Sequence, residues 1–266
     1  MKLHISHTTT YSYDQPVQYA LQQLRLTPKS RQGQNIIDWH LEIENGTVEL
    51  QFDDHNNNHV HLVSLEAETD TLIVTARGNV ETSLGTGIIG THGGYAPLWY
   101  FLRQTNLTKP GPLIRKLVQP ERAIVDDDIE KLHRLSALIL NQVVYKTGAS
   151  LAETTAETSL ENGAGVCQDH THIFLSAARL LGYPARYVSG YLMLNDRIEQ
   201  DATHAWAEVH VSGLGWVGFD ISNGISPDER YVPMATGLDY REAAPITGMR
   251  VGGNSESMLV NVQVQQ

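Results

Sequence analysis

Apolar and polar positions alternate in short runs over the first third of the chain. The runs are His4–Tyr13, Val17–Leu26, Ile36–Ile43, Val48–Phe52, Val60–Val63 and Thr71–Thr75. Turn signals part them: Asp14–Gln15–Pro16, Pro28, Asn45–Gly46 and the polar stretch Asp53–Asn58. Period-two runs broken at this rate predict a β-sandwich over residues 1–84. Residues 85–120 lose the pattern and are dense in glycine and proline, which reads as a linker with short helices around Leu98–Leu102 and Leu113–Val118. The period then lengthens. Ile129, Leu132, Leu135, Leu138, Ile139 and Val143 fit a helix within 126–145, with Asp126, Asp127 and Asp128 at its positive end. Ile173, Phe174, Leu175, Ala177, Ala178, Leu180 and Leu181 fit a second helix over 167–181, stopped by Gly182 and Pro184. Strands follow at 185–192, 203–211 and 216–220, with a loop over most of 233–250 and a last strand at 258–264. The expected architecture is α+β: a sandwich over 1–84, a linker over 85–120 and a core over 121–266.

Charge and cysteine usage narrow the function. The chain has 266 residues and a net charge of −11, which argues against nucleic acid and anionic membrane surfaces as partners. A single cysteine excludes an internal disulfide and any multi-thiolate zinc site. Neither a signal peptide nor a spanning run of apolar residues is expected, so a reducing cytoplasm is the expected compartment. His55, His59 and His61 are metal-ligand types, but their Asp/Asn-rich surroundings read as a solvated hairpin. Gly163 and Gly165 precede a helix without the third glycine of a dinucleotide fingerprint.

The lone Cys167 falls in the first turn of the second helix, where unpaired N–H groups favour a thiolate over a thiol. The two glycines before it leave room for a substrate backbone. A buried structural thiol is the plainer alternative. A nucleophilic thiol needs a base, and the base needs an acceptor to orient it. His204 opens one predicted strand and Asp220 closes the next, so antiparallel pairing brings them to one rim of the sheet. Taken singly, a core histidine and a turn carboxylate account for them as well.

Four blocks then resemble the bacterial branch of the transglutaminase-like superfamily: Asn162-Gly163-x-Gly165-Val166-Cys167-x-Asp169, Pro184–Tyr191, His204-Ala205-Trp206-x-Glu208-Val209 and Gly215-Trp216-x-Gly218-Phe219-Asp220. Tyr11-x-Tyr13-x-x-Pro16-Val17 and Leu24-Arg25-Leu26-x-Pro28 are similar to the β-domain that precedes that core. The resemblance implies a papain-like core with Cys167 as nucleophile, His204 as general base and acid, and Asp220 orienting His204. Two departures stand out: His170, where the family usually has an apolar residue, and Ile221–Ser222, where it often has Pro–Thr. His170 is read as a surface histidine or one that tunes the thiol. Gln168 is read as an oxyanion donor or a loop support, and Tyr191 as a site or core tyrosine. Trp206 and Trp216 are read as core or pocket wall, and Glu208 as a structural or solvated carboxylate. The expected reaction is acyl transfer from a peptide, protein or small amide through a thioester, with hydrolysis ahead of amine transfer. No cofactor is expected, and no calcium-type acidic loop is visible. A non-catalytic peptide-binding module is the competing class; a thiol redox sensor lacks a resolving cysteine.

Overall fold

The computed structural model describes residues 1–83, 85–123, 127–252 and 255–266; Asp126 lies outside them. The strands of the first third are β1 (Lys2–Tyr13), β2 (Tyr19–Thr27), β3 (Gln34–Glu44), β4 (Gly46–Asp53), β5 (His59–Leu65), β6 (Thr71–Thr82) and β7 (Ile88–Gly90). The helical stretch holds α1 (Pro112–Leu117), α2 (Gln119–Ala123), α3 (Asp128–Gln142), β8 (Val144–Tyr145), α4 (Ala156–Asn162), β9 (Ala164–Gly165) and α5 (Cys167–Leu180). Last come β10 (Ala185–Leu192), β11 (Glu199–Gln200), β12 (His204–Val211), β13 (Gly215–Phe219), β14 (Tyr231–Gly237), α6 (Tyr240–Ala243), β15 (Ile246–Val251) and β16 (Glu256–Gln265).

Alternation along β1 turns Leu3, Ile5, His7, Thr9, Tyr11 and Tyr13 inward. They close an apolar interior with Leu24 and Leu26 of β2 and Leu72, Val74 and Val80 of β6. Each fully buried aliphatic side chain contributes roughly 1.5–3 kcal/mol. The two sandwich sheets run β11-β16-β1-β6-β3 and β15-β2-β5-β4. A third sheet, β14-β10-β12-β13-β7, forms the core. Helix α5 lies on it through Ile173, Phe174, Leu175, Ala177 and Ala178, all fully buried, and α1, α3 and α4 cover the helix from outside. The sheet's β10 and β14 give Tyr191, Val232 and Met234 to the sandwich interior. The architecture is α+β, as expected.

Three features depart from the expected division. Residues 246–265, assigned above to the core, belong to the sandwich: β16 pairs with β1 from His4↔Gln265 to Tyr13↔Glu256, and β15 pairs with β2. The stretch expected as a linker is built in. β7 adds to the edge of the core sheet beside β13, and Phe101 packs edge-on against Trp216. The buried Arg179 guanidinium donates to the carbonyls of Phe101, Ala185 and Leu238 and to the Thr108 hydroxyl, tying that stretch to the end of α5. Finally, the expected loop over 233–250 contains most of β14, α6 and β15. The register shifts at Pro233: Ser189 faces Ala235 and Gly190 faces Pro233, which leaves Met234 as an extra residue in β14. Proline is tolerated there because β14 is an edge strand.

With strands from both ends of the chain in one sandwich, a cut cannot release a folded half. Limited proteolysis is therefore expected to leave the chain intact or degrade it throughout. A stable fragment starting between residues 110 and 125 would show that the halves fold separately.

Candidate active site

Helix α4 ends on Gly163, whose φ of 62° lies in the left-handed region that closes a helix. Gly165 follows for a different reason. A side chain there would run into Asp169, with Cβ atoms 2.6 Å apart. The glycines thus serve a helix end and a carboxylate, rather than the approach of a substrate backbone. Asp169 is buried and satisfied: it accepts from Ser159 Oγ at 2.6 Å, from the Val166 N–H at 2.7 Å and from Ser150. It fixes the turn that delivers Cys167.

Cys167 is the first residue of α5 and is half-buried. Across from it, β10 pairs with β12 through Gly190↔His204, and β12 pairs with β13 through Ala207↔Phe219. This register brings His204 and Asp220 together. His204 Nε2 lies 2.7 Å from Asp220 Oδ2, and Cys167 is close enough to the imidazole to favour its charged form. Since Nε2 serves Asp220, Nδ1 is the ring nitrogen free to exchange a proton at the site. Burial disfavours the imidazolium, but the bonds and charges of Asp220 and Cys167 outweigh it and raise the His204 pKa to about 10.

Asp220 is fully buried and has three side-chain donors on Oδ2: His204, the Asn223 amide at 2.7 Å and the Tyr231 hydroxyl at 2.7 Å. Burial opposes its charge, yet His204, Asn223 and Tyr231 hold the carboxyl below the ordinary range. Tyr231 had no signal in the sequence. It precedes the proline that hides β14, and only the pairing of β14 with β10 carries it to the site.

The remaining expected residues divide. Trp206 stacks on His204 with the rings 27° apart and 6.2 Å between centroids, and it is fully buried. It is the wall behind the imidazole. Trp216 is not at the site: Arg186 lies over its ring at 4.2 Å, and its Nε1 donates to His92. Tyr191 is also elsewhere, packed in the sandwich interior, where its hydroxyl meets His7 Nδ1 at 3.1 Å. Gln168 donates its amide to the Ala152 carbonyl at 3.0 Å, which makes it a support for the 150–154 loop. Glu208 is fully buried between Arg186 and Arg31, with contacts of 2.6 Å and 3.3 Å. Arg31 lies in the sandwich half, so this carboxylate joins the halves.

The two departures from the family pattern turn out to be partners. His170 is buried, with Nδ1 2.8 Å from Ser222 Oγ and Nε2 2.9 Å from the Val143 carbonyl. The carbonyl requires a proton on Nε2, so Nδ1 accepts from Ser222. Burial lowers the His170 pKa and keeps it neutral. This histidine is neither a surface group nor a tuner of the thiol. It clamps α5 to the turn that carries Asp220 and Asn223. Among the described residues no group of His, Cys, Asp and Glu is arranged to hold a metal ion. His55 bonds the Tyr100 hydroxyl and His59 bonds Asp53. No helix is long and apolar enough to cross a membrane among the described residues.

A buried helix that presents a thiol to a histidine–carboxylate pair on an antiparallel sheet defines an α+β fold of the papain and transglutaminase type. Two family profiles agree: the bacterial transglutaminase-like N-terminal region matches residues 3–81, and the transglutaminase-like superfamily matches residues 115–221. Together they span well over half of the chain, which belongs to the transglutaminase-like superfamily. An uncharacterized protein of Mycobacterium leprae is 25% identical over 283 residues, covering 99% of this chain and 98% of its own. Another, from Mycobacterium bovis, is 27% identical over 288 residues, covering 98% and 90%. Among solved structures, one named "a Putative Cysteine Protease from Cytophaga hutchinsonii" superposes with a TM-score of 0.80 at 23% identity, covering all of this chain and 90% of that one.

Proposed function

We propose that the protein is a thiol-dependent acyl-transfer enzyme that opens a peptide or side-chain amide through a thioester on Cys167. The observation that carries this reading is the His204 imidazole, 2.7 Å from the buried Asp220 and beside the single cysteine, with both favouring its charged form. The Cys167 sulfur attacks the amide carbonyl carbon. His204 gives its proton to the departing nitrogen as the C–N bond breaks, and Asp220 keeps the ring in place. The Cys167 N–H at the start of α5 faces the oxyanion. Water then attacks the thioester, with His204 taking its proton, and the acid leaves the thiol free.

Hydrolysis is the favoured outcome. Transfer needs an acyl-enzyme shielded from water, and Trp216, the second expected wall of such a tunnel, lies away from the site. With a glutamine peptide and an amine dye, released acid is expected to exceed incorporated dye; the reverse ratio would make it a transferase. The chemistry needs no cofactor, and a cytoplasmic setting keeps the thiol free.

Alkylation of Cys167 by iodoacetamide tests the nucleophile. The rate is expected to be already high below pH 7, and His204→Ala is expected to move the profile toward that of a free thiol, near pH 8.5. A wild-type profile rising only near that pH and untouched by His204→Ala would leave Cys167 a structural residue.

A further inference from the structure

A cavity of about 160 Å³ opens where the two sandwich sheets meet the core. Its walls come from both halves: Tyr11 of β1, Ile246 of β15, Met258 and Val260 of β16, and Thr203 and Tyr240 of the core. Thr203 adjoins His204 in the chain. Tyr240 packs on the same core cluster as Cys167, and its ring meets that of Tyr187 with 6.2 Å between centroids. β11, in the loop that leads into His204, is hydrogen-bonded to β16, so the last strand of the chain fixes both the cavity wall and the approach to the imidazole.

We propose that this cavity is the subsite for an apolar, ring-sized side chain on the acyl half of a peptide substrate, and that supplying it is the role of the N-terminal sandwich. The inference rests on the reading of Cys167 as nucleophile. The size fits, because a dry cavity of about 150 Å³ holds one benzene ring. The chemistry fits as well. The floor is His7 and Thr9, whose polar atoms already satisfy each other at 3.1 Å, with His7 Nδ1 on Tyr191. Burial holds the His7 pKa near 4, so the floor is uncharged. Asp201 at the lining disfavours an acidic side chain. The half of the substrate is set by geometry. The leaving nitrogen must lie against His204, whose ring neighbours are Trp206 and Tyr231. The cavity is lined by neither of these and lies against Tyr240 and Thr203 instead.

The probes are N-acetyl dipeptidyl chloromethyl ketones with Phe, Leu, Ala or Glu at either position. Labelling of Cys167 is followed by intact mass, and each rate is divided by that for iodoacetamide in the same variant. At one of the two positions Phe or Leu is expected to label at least about tenfold faster than Ala, with Glu slower than Ala. In Met258→Asp, at a position 58% exposed and so tolerant of change, that preference is expected to fall about tenfold; Ile246→Ala is expected to weaken it too. Equal rates for Phe, Leu and Ala at both positions, or a preference unchanged in both variants, would overturn the subsite. Iodoacetamide labelling that ignores His204→Ala would instead remove the nucleophile reading, while the Phe-to-Ala ratio still reports on the cavity.

Discussion

Asp220→Asn is expected to lower turnover of a peptide amide by about 10²–10⁴-fold while the fold survives. The carboxylate has two roles. It fixes His204 through the 2.7 Å contact to Nε2, and its charge favours the imidazolium. Asparagine keeps the shape but loses the charge, and its amide can donate into Nε2 and reverse the tautomer. The pH dependence follows from the two shifts. The His204 pKa is raised to about 10, so its stabilising contact is fully present below its ordinary value of 6.5 and is lost as pH rises through about 10. Asp220 is lowered, so its contribution is present above the ordinary carboxylate value and is lost as pH falls through the depressed one. Wild-type alkylation should hold through the neutral range between these limits, and Asp220→Asn should shift its acid limb part of the way toward His204→Ala. Turnover and alkylation matching wild type in Asp220→Asn would remove Asp220 from the mechanism.

Glu208→Ala is expected to cost about 3–5 kcal/mol of stability, the range for breaking a buried ion pair from one side. Burial opposes the charge of Glu208, but Arg186 and Arg31 hold its carboxyl below the ordinary range. Alanine would leave both guanidiniums facing a void. Arg186 keeps the face of Trp216, while Arg31 loses its link across the junction of sandwich and core. Against a typical total of about 5–15 kcal/mol, such a loss brings the protein near unfolding at ordinary temperature. Urea denaturation of Glu208→Ala and Glu208→Gln measures it, with the glutamine expected to be milder because it still offers an acceptor. A change below about 1 kcal/mol for Glu208→Ala would show that water replaces the carboxylate.

The chain carries much of its own plan in local pattern. The period-two runs of β1, β2 and β6 and the longer period of α3 can be read directly, because each of these elements has one face turned to a core. The starts and stops of β12 and β13 predict the meeting of His204 with Asp220, since a short turn between antiparallel neighbours sets the start of the first beside the end of the second. What tertiary structure decided lies in contacts between distant residues. Nothing local says that 256–265 will pair with 4–13, because an alternating strand fits any edge with a matching apolar face. Nor does local pattern mark Arg31 as the partner of Glu208, Tyr231 as a donor to Asp220, or Ser222 as the partner of His170. A polar side chain is written the same way whether water or another residue satisfies it. Burial alone makes that choice, and burial is a property of the whole fold.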